Sequence, residues 1–204
     1  MLAAHDLAAR RGFAQLFAGL AFRVDPGSAL LVTGANGTGK TTLLRILAGL
    51  TAPTAGAVHW NGALVAPFDP SLRAAVAYAG HAPALNDNLT AGENLASLAA
   101  LGGTPASDDQ LRAALDTVAL AAQRNLPARV LSQGQRRRIG LARLVLSSRP
   151  LWLLDEPVTA LDAAGIGALT DLVRRHLDGG GLVVAATHVT LDLPAARVAE
   201  LALG

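Results

Sequence analysis

The stretch Gly34-Ala35-Asn36-Gly37-Thr38-Gly39-Lys40-Thr41-Thr42 carries the most explicit chemistry in the chain. It fits G-x-x-x-x-G-K-[ST] in full, with an extra glycine at Gly37 and a second hydroxyl at Thr42. Glycines let a loop wrap closely round a polyphosphate, so that successive backbone N–H groups converge on it. A helix starting there adds the positive end of its dipole. In that setting Lys40 brings a mobile point charge to the β- and γ-phosphates, and the Thr41 hydroxyl is placed to ligate Mg²⁺. Of 17 basic residues Lys40 is the only lysine, at the one position where an ammonium serves better than a planar guanidinium.

Two further groups extend this chemistry. Leu151-Trp152-Leu153-Leu154-Asp155-Glu156 is an apolar run ending in two carboxylates. An aspartate at a strand end beside a phosphate loop is a second holder of Mg²⁺, through water. The next residue, Glu156, can accept a proton from an attacking water or orient it. In Leu131-Ser132-Gln133-Gly134-Gln135, the Ser132-x-x-Gln135 spacing starts a helix, and a serine hydroxyl, a glycine N–H and a helix N-terminus together make a second anion site. One chain holding one nucleotide does not need two such sites. The second is expected to close over a nucleotide held by another copy.

The elements that must position these groups are legible around them. Ala29–Thr33 has the length and apolarity of a buried strand, and Thr42–Leu50 reads as a helix, so the glycine loop joins strand to helix. Earlier apolar segments run from Leu2 to Ala8 and from Leu20 to Val24, with Asp25-Pro26-Gly27 as a turn. Strand-like runs flank Asn61-Gly62, a hairpin signal. From about residue 90 the pattern becomes helical, with capping boxes at Thr90-x-x-Glu93 and Ser107-x-x-Gln110. It then alternates helix, strand, helix, strand over 135–147, 151–155, 163–177 and 182–187, which argues for a parallel sheet with covering helices. The expected architecture is α/β: a single domain over 1–204 whose phosphate-loop core and antiparallel β subdomain occupy 1–83 and 131–204, with a helical lobe inserted over about 84–130.

Bulk properties narrow the class. The 204 residues suffice for a substantial core, and no run approaches the ~20 apolar residues of a membrane span. The start lacks a signal-peptide pattern and there is no cysteine, which fits a reducing compartment. A net charge of +2 is too small to argue for nucleic acid, and none is expected as partner. Charged residues are only 16%, and a mean hydropathy of +0.38 points either to an apolar partner interface or to alanine content alone.

The set Gly34–Thr42, Leu131–Gln135, Leu153-Leu154-Asp155-Glu156-Pro157, Thr159-Ala160-Leu161-Asp162 and Ala186-Thr187-His188 resembles the ABC-type ATPases across essentially the whole chain. The resemblance implies ATP and Mg²⁺ as cofactors and a head-to-tail homodimer, in which Ser132, Gly134 and Gln135 of one copy meet the nucleotide held by Lys40 of the other. It assigns Asp155 and Thr41 to the metal, Glu156 as catalytic carboxylate, His188 as a γ-phosphate contact, and Asp162 to the loop linking the two sites. A narrower resemblance rests on Leu16–Phe22, Gly56–Gly62, Gly80-His81 and Leu89–Leu95, which are similar to the ATP-binding subunits of cytochrome c maturation haem exporters. It implies a separate integral membrane permease and a peripheral location on the cytoplasmic face of the bacterial inner membrane. It also makes residues 81–100 the permease-docking surface. An ABC ATPase for another cargo, a soluble ABC ATPase acting on nucleic acid or ribosomes, and a small P-loop kinase are the alternatives.

Three positions depart from the family pattern. The glutamine expected between core and lobe falls on His81, a poorer Mg²⁺ ligand, whose other readings are a sensor of the membrane partner or a plain loop histidine. Gln133 replaces the first signature glycine. The adenine-stacking residue is either Phe13 or Arg11. Arg136-Arg137-Arg138 is expected to be a solvated helix face, and Trp60 and Trp152 are expected in the core.

Overall fold

The computed structural model describes residues 1–189 and 191–204. The chain divides into two compact units. The first comprises 1–78, 149–156 and 174–204; the second comprises 79–148 and 157–173. The residues expected as an inserted lobe, 84–130, all fall in the second unit.

The first unit contains an antiparallel sheet and most of a parallel one. Strands β1 (Leu2–Arg11) and β2 (Ala14–Val24) form a long hairpin, and β4 (Ala55–Trp60) and β5 (Ala63–Val65) extend it in the order β2-β1-β4-β5. These first strands are longer than the apolar segments around Leu2–Ala8 and Leu20–Val24. Their pairing carries register shifts, with positive φ at Asp6 and Gly19, which break the simple alternation that a sequence pattern depends on. The Asn61-Gly62 turn joins β4 to β5 with both residues at positive φ, as a tight primed turn requires.

The second sheet runs β6 (Val76–Ala79), β7 (Leu151–Asp155), β8 (Leu182–Ala186), β3 (Ala29–Gly34) and β9 (Val198–Leu203). The β7–β8, β8–β3 and β3–β9 pairs are parallel. The alternation expected for 151–187 is therefore what forms. Strands β7 and β8 are buried throughout, which is why they read as unbroken apolar runs. Leu43, Leu44 and Leu47 of helix α1 (Lys40–Leu47) join them in one core with Leu153, Val184 and Val32. Trp152 is buried and Trp60 packs against the cluster, as expected. Strands β6 and β9 and the short helix α2 (Pro70–Ala75) have no counterpart in the sequence reading.

The second unit is helical, with α3 (Ala91–Leu101), α4 (Asp108–Thr117) and α5 (Gln133–Leu146) packed on one another. All three start with a complete capping box, from Thr90, Ser107 and Ser132. Helix α6 (Ala163–Asp178) follows β7 and precedes β8.

Candidate active site

Parallel register collects the site at one end of one sheet. Asp155, the last residue of β7, pairs with Ala186, the last of β8, and Ala186 pairs with Val32 of β3. Residues just beyond those strand ends emerge together: Gly34 onward from β3, Glu156 from β7, and Thr187-His188 from β8. Open parallel sheets bind ligands at such carboxyl ends.

The glycines of the loop answer to local geometry. Gly34 has φ 138, and a Cβ there would lie 2.2 Å from the Leu203 carbonyl oxygen, so no side chain fits. Gly39 has φ 105 and caps α1. A Cβ on it would press on Leu16 and Phe17 at 3.0 Å, so β2 abuts the loop through these two residues. Lys40 is buried, with Nζ donating to the Gly34 carbonyl at 2.7 Å and the Ala35 carbonyl at 3.1 Å. Thr38 braces the loop by donating its hydroxyl to the Ala35 carbonyl at 3.0 Å. Ala35, Asn36 and Gly37 are exposed at its crest.

Thr41, on the first turn of α1, donates its hydroxyl to Asp155 Oδ1 at 3.1 Å. This joins two elements 114 residues apart in sequence. Thr42 is half-buried beside it. The Thr41 hydroxyl and the Asp155 carboxylate are hard oxygen donors on one spot. Among the described residues no group of three His, Cys, Asp or Glu side chains could hold a metal. One carboxylate and one hydroxyl suit a cation that takes its remaining ligands from phosphate and water, as Mg²⁺ does.

Glu156 sits in the left-handed region at φ 49, uncommon for glutamate. Its N–H donates to the Ala186 carbonyl at 2.9 Å, so the ladder between β7 and β8 runs one residue past the strand and anchors the turn. His188 Nε2 lies 3.2 Å from Glu156 Oε1. Thr187 holds the histidine in place: its N–H donates to the Val32 carbonyl, and its hydroxyl accepts from the Val189 N–H at 3.0 Å.

Two residues here escaped the sequence reading. The Tyr78 hydroxyl lies 3.5 Å from Asp155 Oδ2, and the charge of Arg45 acts on the Tyr78 side chain. Burial, followed by the negative charge of Asp155, raises the Tyr78 pKa, so the phenol stays a donor. Arg45 lies four residues after Thr41 on α1, a spacing that could have flagged it.

Ser132, Gly134, Gln135 and His81 belong to the second unit. Ser132 Oγ accepts from the Gln135 N–H at 3.2 Å, and the Ser132 N–H donates to Gln135 Oε1 at 2.9 Å. Gln135 is thus spent on the cap that presents this helix end. Gly134 is needed for space rather than for φ, because a Cβ would stand 2.5 Å from the Ala160 carbonyl oxygen. Asp162 caps α6 by accepting from the Gly165 N–H at 2.8 Å and pairs with Arg138. Those bonds, the Gly165 one foremost, lower its pKa.

The three arginines are not the solvated face expected of them. Arg137 is buried and donates to the carbonyls of Gly80 and His81. Arg136 donates to the Ala128 carbonyl and pairs with Asp87 at 2.6 Å. Arg138 takes Asp162. Each guanidinium satisfies backbone or carboxylate acceptors that a helical-face reading cannot see. The His81 side chain is exposed while its carbonyl is held by Arg137. Phe13 occupies the turn between β1 and β2 and is 99% exposed, its carbonyl accepting from Arg10.

A glycine-loop lysine, a hydroxyl–carboxylate pair and a glutamate–histidine pair at the end of a parallel sheet define a nucleotide-binding cassette. The ABC transporter family matches residues 17–159, and the chain belongs to that family. It is 51% identical over 189 residues to the cytochrome c biogenesis ATP-binding export protein CcmA of Aromatoleum aromaticum, covering 92% of this chain and 88% of that one. With the protein of the same name from Dechloromonas aromatica it shares 45% identity over 204 residues and the full length of both. Among solved structures it resembles a putative ABC transporter ATP-binding protein from Pyrococcus furiosus, with a TM-score of 0.84 at 22% identity over 99% of this chain and 96% of that one. A dimeric ATP-binding cassette bound to ADP and Pi in a post-hydrolysis state has a TM-score of 0.80 at 23% identity, covering 93% and 88%. At these identities the structural likeness speaks for the fold.

Proposed function

We propose that this chain is the ATP-hydrolysing subunit of an exporter serving cytochrome c biogenesis, with haem as cargo, and that it works as a dimer of two copies on a separate membrane permease. The observation that carries the hydrolytic reading is the Glu156–His188 pair, 3.2 Å apart beside the phosphate loop. The glycine loop binds the polyphosphate through its N–H groups, and the Lys40 ammonium neutralises β- and γ-phosphate charge. Thr41 and Asp155 would hold Mg²⁺, which when bound neutralises phosphate charge and orients the transferring group. Glu156 orients the attacking water and accepts its proton, an effect worth ~10²–10⁴-fold. His188 steadies that carboxylate and reaches toward the γ-phosphate. Ser132 and Gly134 of the second copy complete the enclosure. Two helix-end anion sites in a chain with one phosphate loop support this composite site.

Among the described residues no helix is long and apolar enough to cross a membrane. The names of the relatives support export in cytochrome c biogenesis, and hence attachment at the cytoplasmic face of the inner membrane. Glu156→Gln keeps the shape of the side chain and removes its basicity. The variant should bind ATP, accumulate as an ATP-bound dimer on size exclusion, and lose turnover by at least ~10²-fold. Wild-type turnover would remove Glu156 from its role. Affinity purification from membranes tests the cargo separately: recovery of a sugar or amino-acid permease would refute haem export and leave the ATPase intact.

A further inference from the structure

The carboxylate at the end of β7 has a hydroxyl beside each of its oxygens. Thr41 donates to Asp155 Oδ1 at 3.1 Å, and the Tyr78 hydroxyl stands 3.5 Å from Oδ2. The Arg45 guanidinium lies close enough for its charge to act on that same phenol. Thr41 and Arg45 are i, i+4 neighbours on α1 and so share a face of the helix. One face of the phosphate-loop helix therefore carries the hydroxyl that reaches Asp155 Oδ1 and the guanidinium whose charge acts on the tyrosine beside Oδ2. Tyr78 is the last residue of the first unit's opening segment, at the end of the edge strand β6 next to β7.

We propose that Tyr78, supported by Arg45, is a positioning residue for Asp155, fixing the carboxylate plane so that a divalent cation arriving with nucleotide meets an oriented oxygen. The inference rests on the reading of Asp155 as the metal-assisting carboxylate. The terminal torsion of a carboxylate is broad, and each contact on its oxygens narrows it. The Tyr78 hydroxyl beside Oδ2 adds one such restraint before the cation binds. Outer partners of metal-ligating carboxylates typically carry ~10–100-fold in metal affinity. At 3.5 Å the phenol contact is long for O–H···O, and such contacts shorten once a site is loaded. The Arg45 charge makes the phenol a stronger donor along the chain Arg45, Tyr78, Asp155.

A purely structural Tyr78 would fill space against the core cluster, where its ring does pack. Tyr78→Phe separates the two roles, because it keeps the ring and deletes only the hydroxyl. In the full-length chain, binding of a fluorescent ATP analogue is measured in EDTA and across a Mg²⁺ titration. Mn²⁺ binding in the presence of ATP is followed by electron paramagnetic resonance. The expected result is an unchanged affinity in EDTA, within about twofold, with the half-saturating concentrations of Mg²⁺ and Mn²⁺ raised ~10-fold. Arg45→Gln, at an exposed position, should raise them in the same direction and keeps the test open if Tyr78→Phe folds poorly. Metal half-saturation within twofold of wild type in Tyr78→Phe, with Asp155→Asn strongly impaired, overturns the role of Tyr78 alone. An Asp155→Asn variant with normal metal dependence overturns the reading of Asp155 and the inference with it.

Discussion

A single methyl group at Gly134 tests how the signature helix is seated. In Gly134→Ala the new Cβ would lie 2.5 Å from the Ala160 carbonyl oxygen, where ordinary contact begins near 3.4 Å. The two elements must therefore part by roughly 0.9 Å, an overpacking of the kind that costs ~1–3 kcal/mol. Neither side yields easily. Gly134 is in the first turn of α5, whose start is pinned by the Ser132–Gln135 capping box. Ala160 is itself in the left-handed region at φ 64, and the Leu161 N–H is tied back to the Val158 carbonyl. Calorimetry should show a melting temperature lower by ~2–4 °C per kcal/mol. Displacement of the helix end should lower ATP turnover by ~10²-fold, since a catalytic site tolerates little misplacement. Binding of nucleotide to the phosphate loop, measured with a fluorescent analogue, should stay within about twofold because the loop belongs to the other unit. A Gly134→Ala protein with the wild-type melting temperature and turnover would refute the steric argument and the role of this helix end together.

Two further perturbations probe the scaffold. His176 stacks on Trp152 with ring centroids 3.8 Å apart and has Nε2 3.1 Å from the Pro150 carbonyl oxygen; burial, the largest effect, lowers its pKa from 6.5. The unfolded chain then takes up the proton first as pH falls, so this contribution to stability is complete above 6.5 and is lost on acidification toward the folded pKa. Melting temperature against pH should fall below about pH 6.5, and His176→Gln should flatten that slope; equal slopes in the two proteins would exclude the histidine as the cause. Thr90→Ala removes the hydroxyl that accepts from the Glu93 N–H at 3.2 Å, and should cost about 1 kcal/mol while Thr90→Ser retains most of the stability. Equal melting curves for the alanine and serine variants would show that the cap contributes nothing.

Local signals carried far in this chain. The phosphate loop, the three capping boxes, the Asn61-Gly62 turn and the alternation over 151–187 depend on contacts within a few residues, where side-chain chemistry alone decides backbone geometry. Strands β6 and β9 were not legible, because short strands at or near a sheet edge gain stability from pairing rather than from a pattern of their own. The arginine run of α5 was misread for a related reason. Its partners, the carbonyls of Gly80 and His81, Asp87 and Asp162, are distant in sequence, and nothing in consecutive arginines announces an acceptor.

The candidate site divides in the same way. Residue types and spacing alone pointed Lys40, Thr41, Asp155 and Glu156 to one phosphate chemistry, because a polyphosphate with its cation calls for that combination of glycine, ammonium, hydroxyl and carboxylate. Only the tertiary structure decided which groups touch. The parallel register of β7, β8 and β3 brings Asp155 to Thr41 and His188 to Glu156, and the placement of β6 sets a tyrosine on the second oxygen of Asp155. Gly134 was expected as an N–H donor, and the fold adds a steric demand set by the Ala160 carbonyl. Distances between residues remote in sequence follow from sheet register and packing, and no local pattern encodes them.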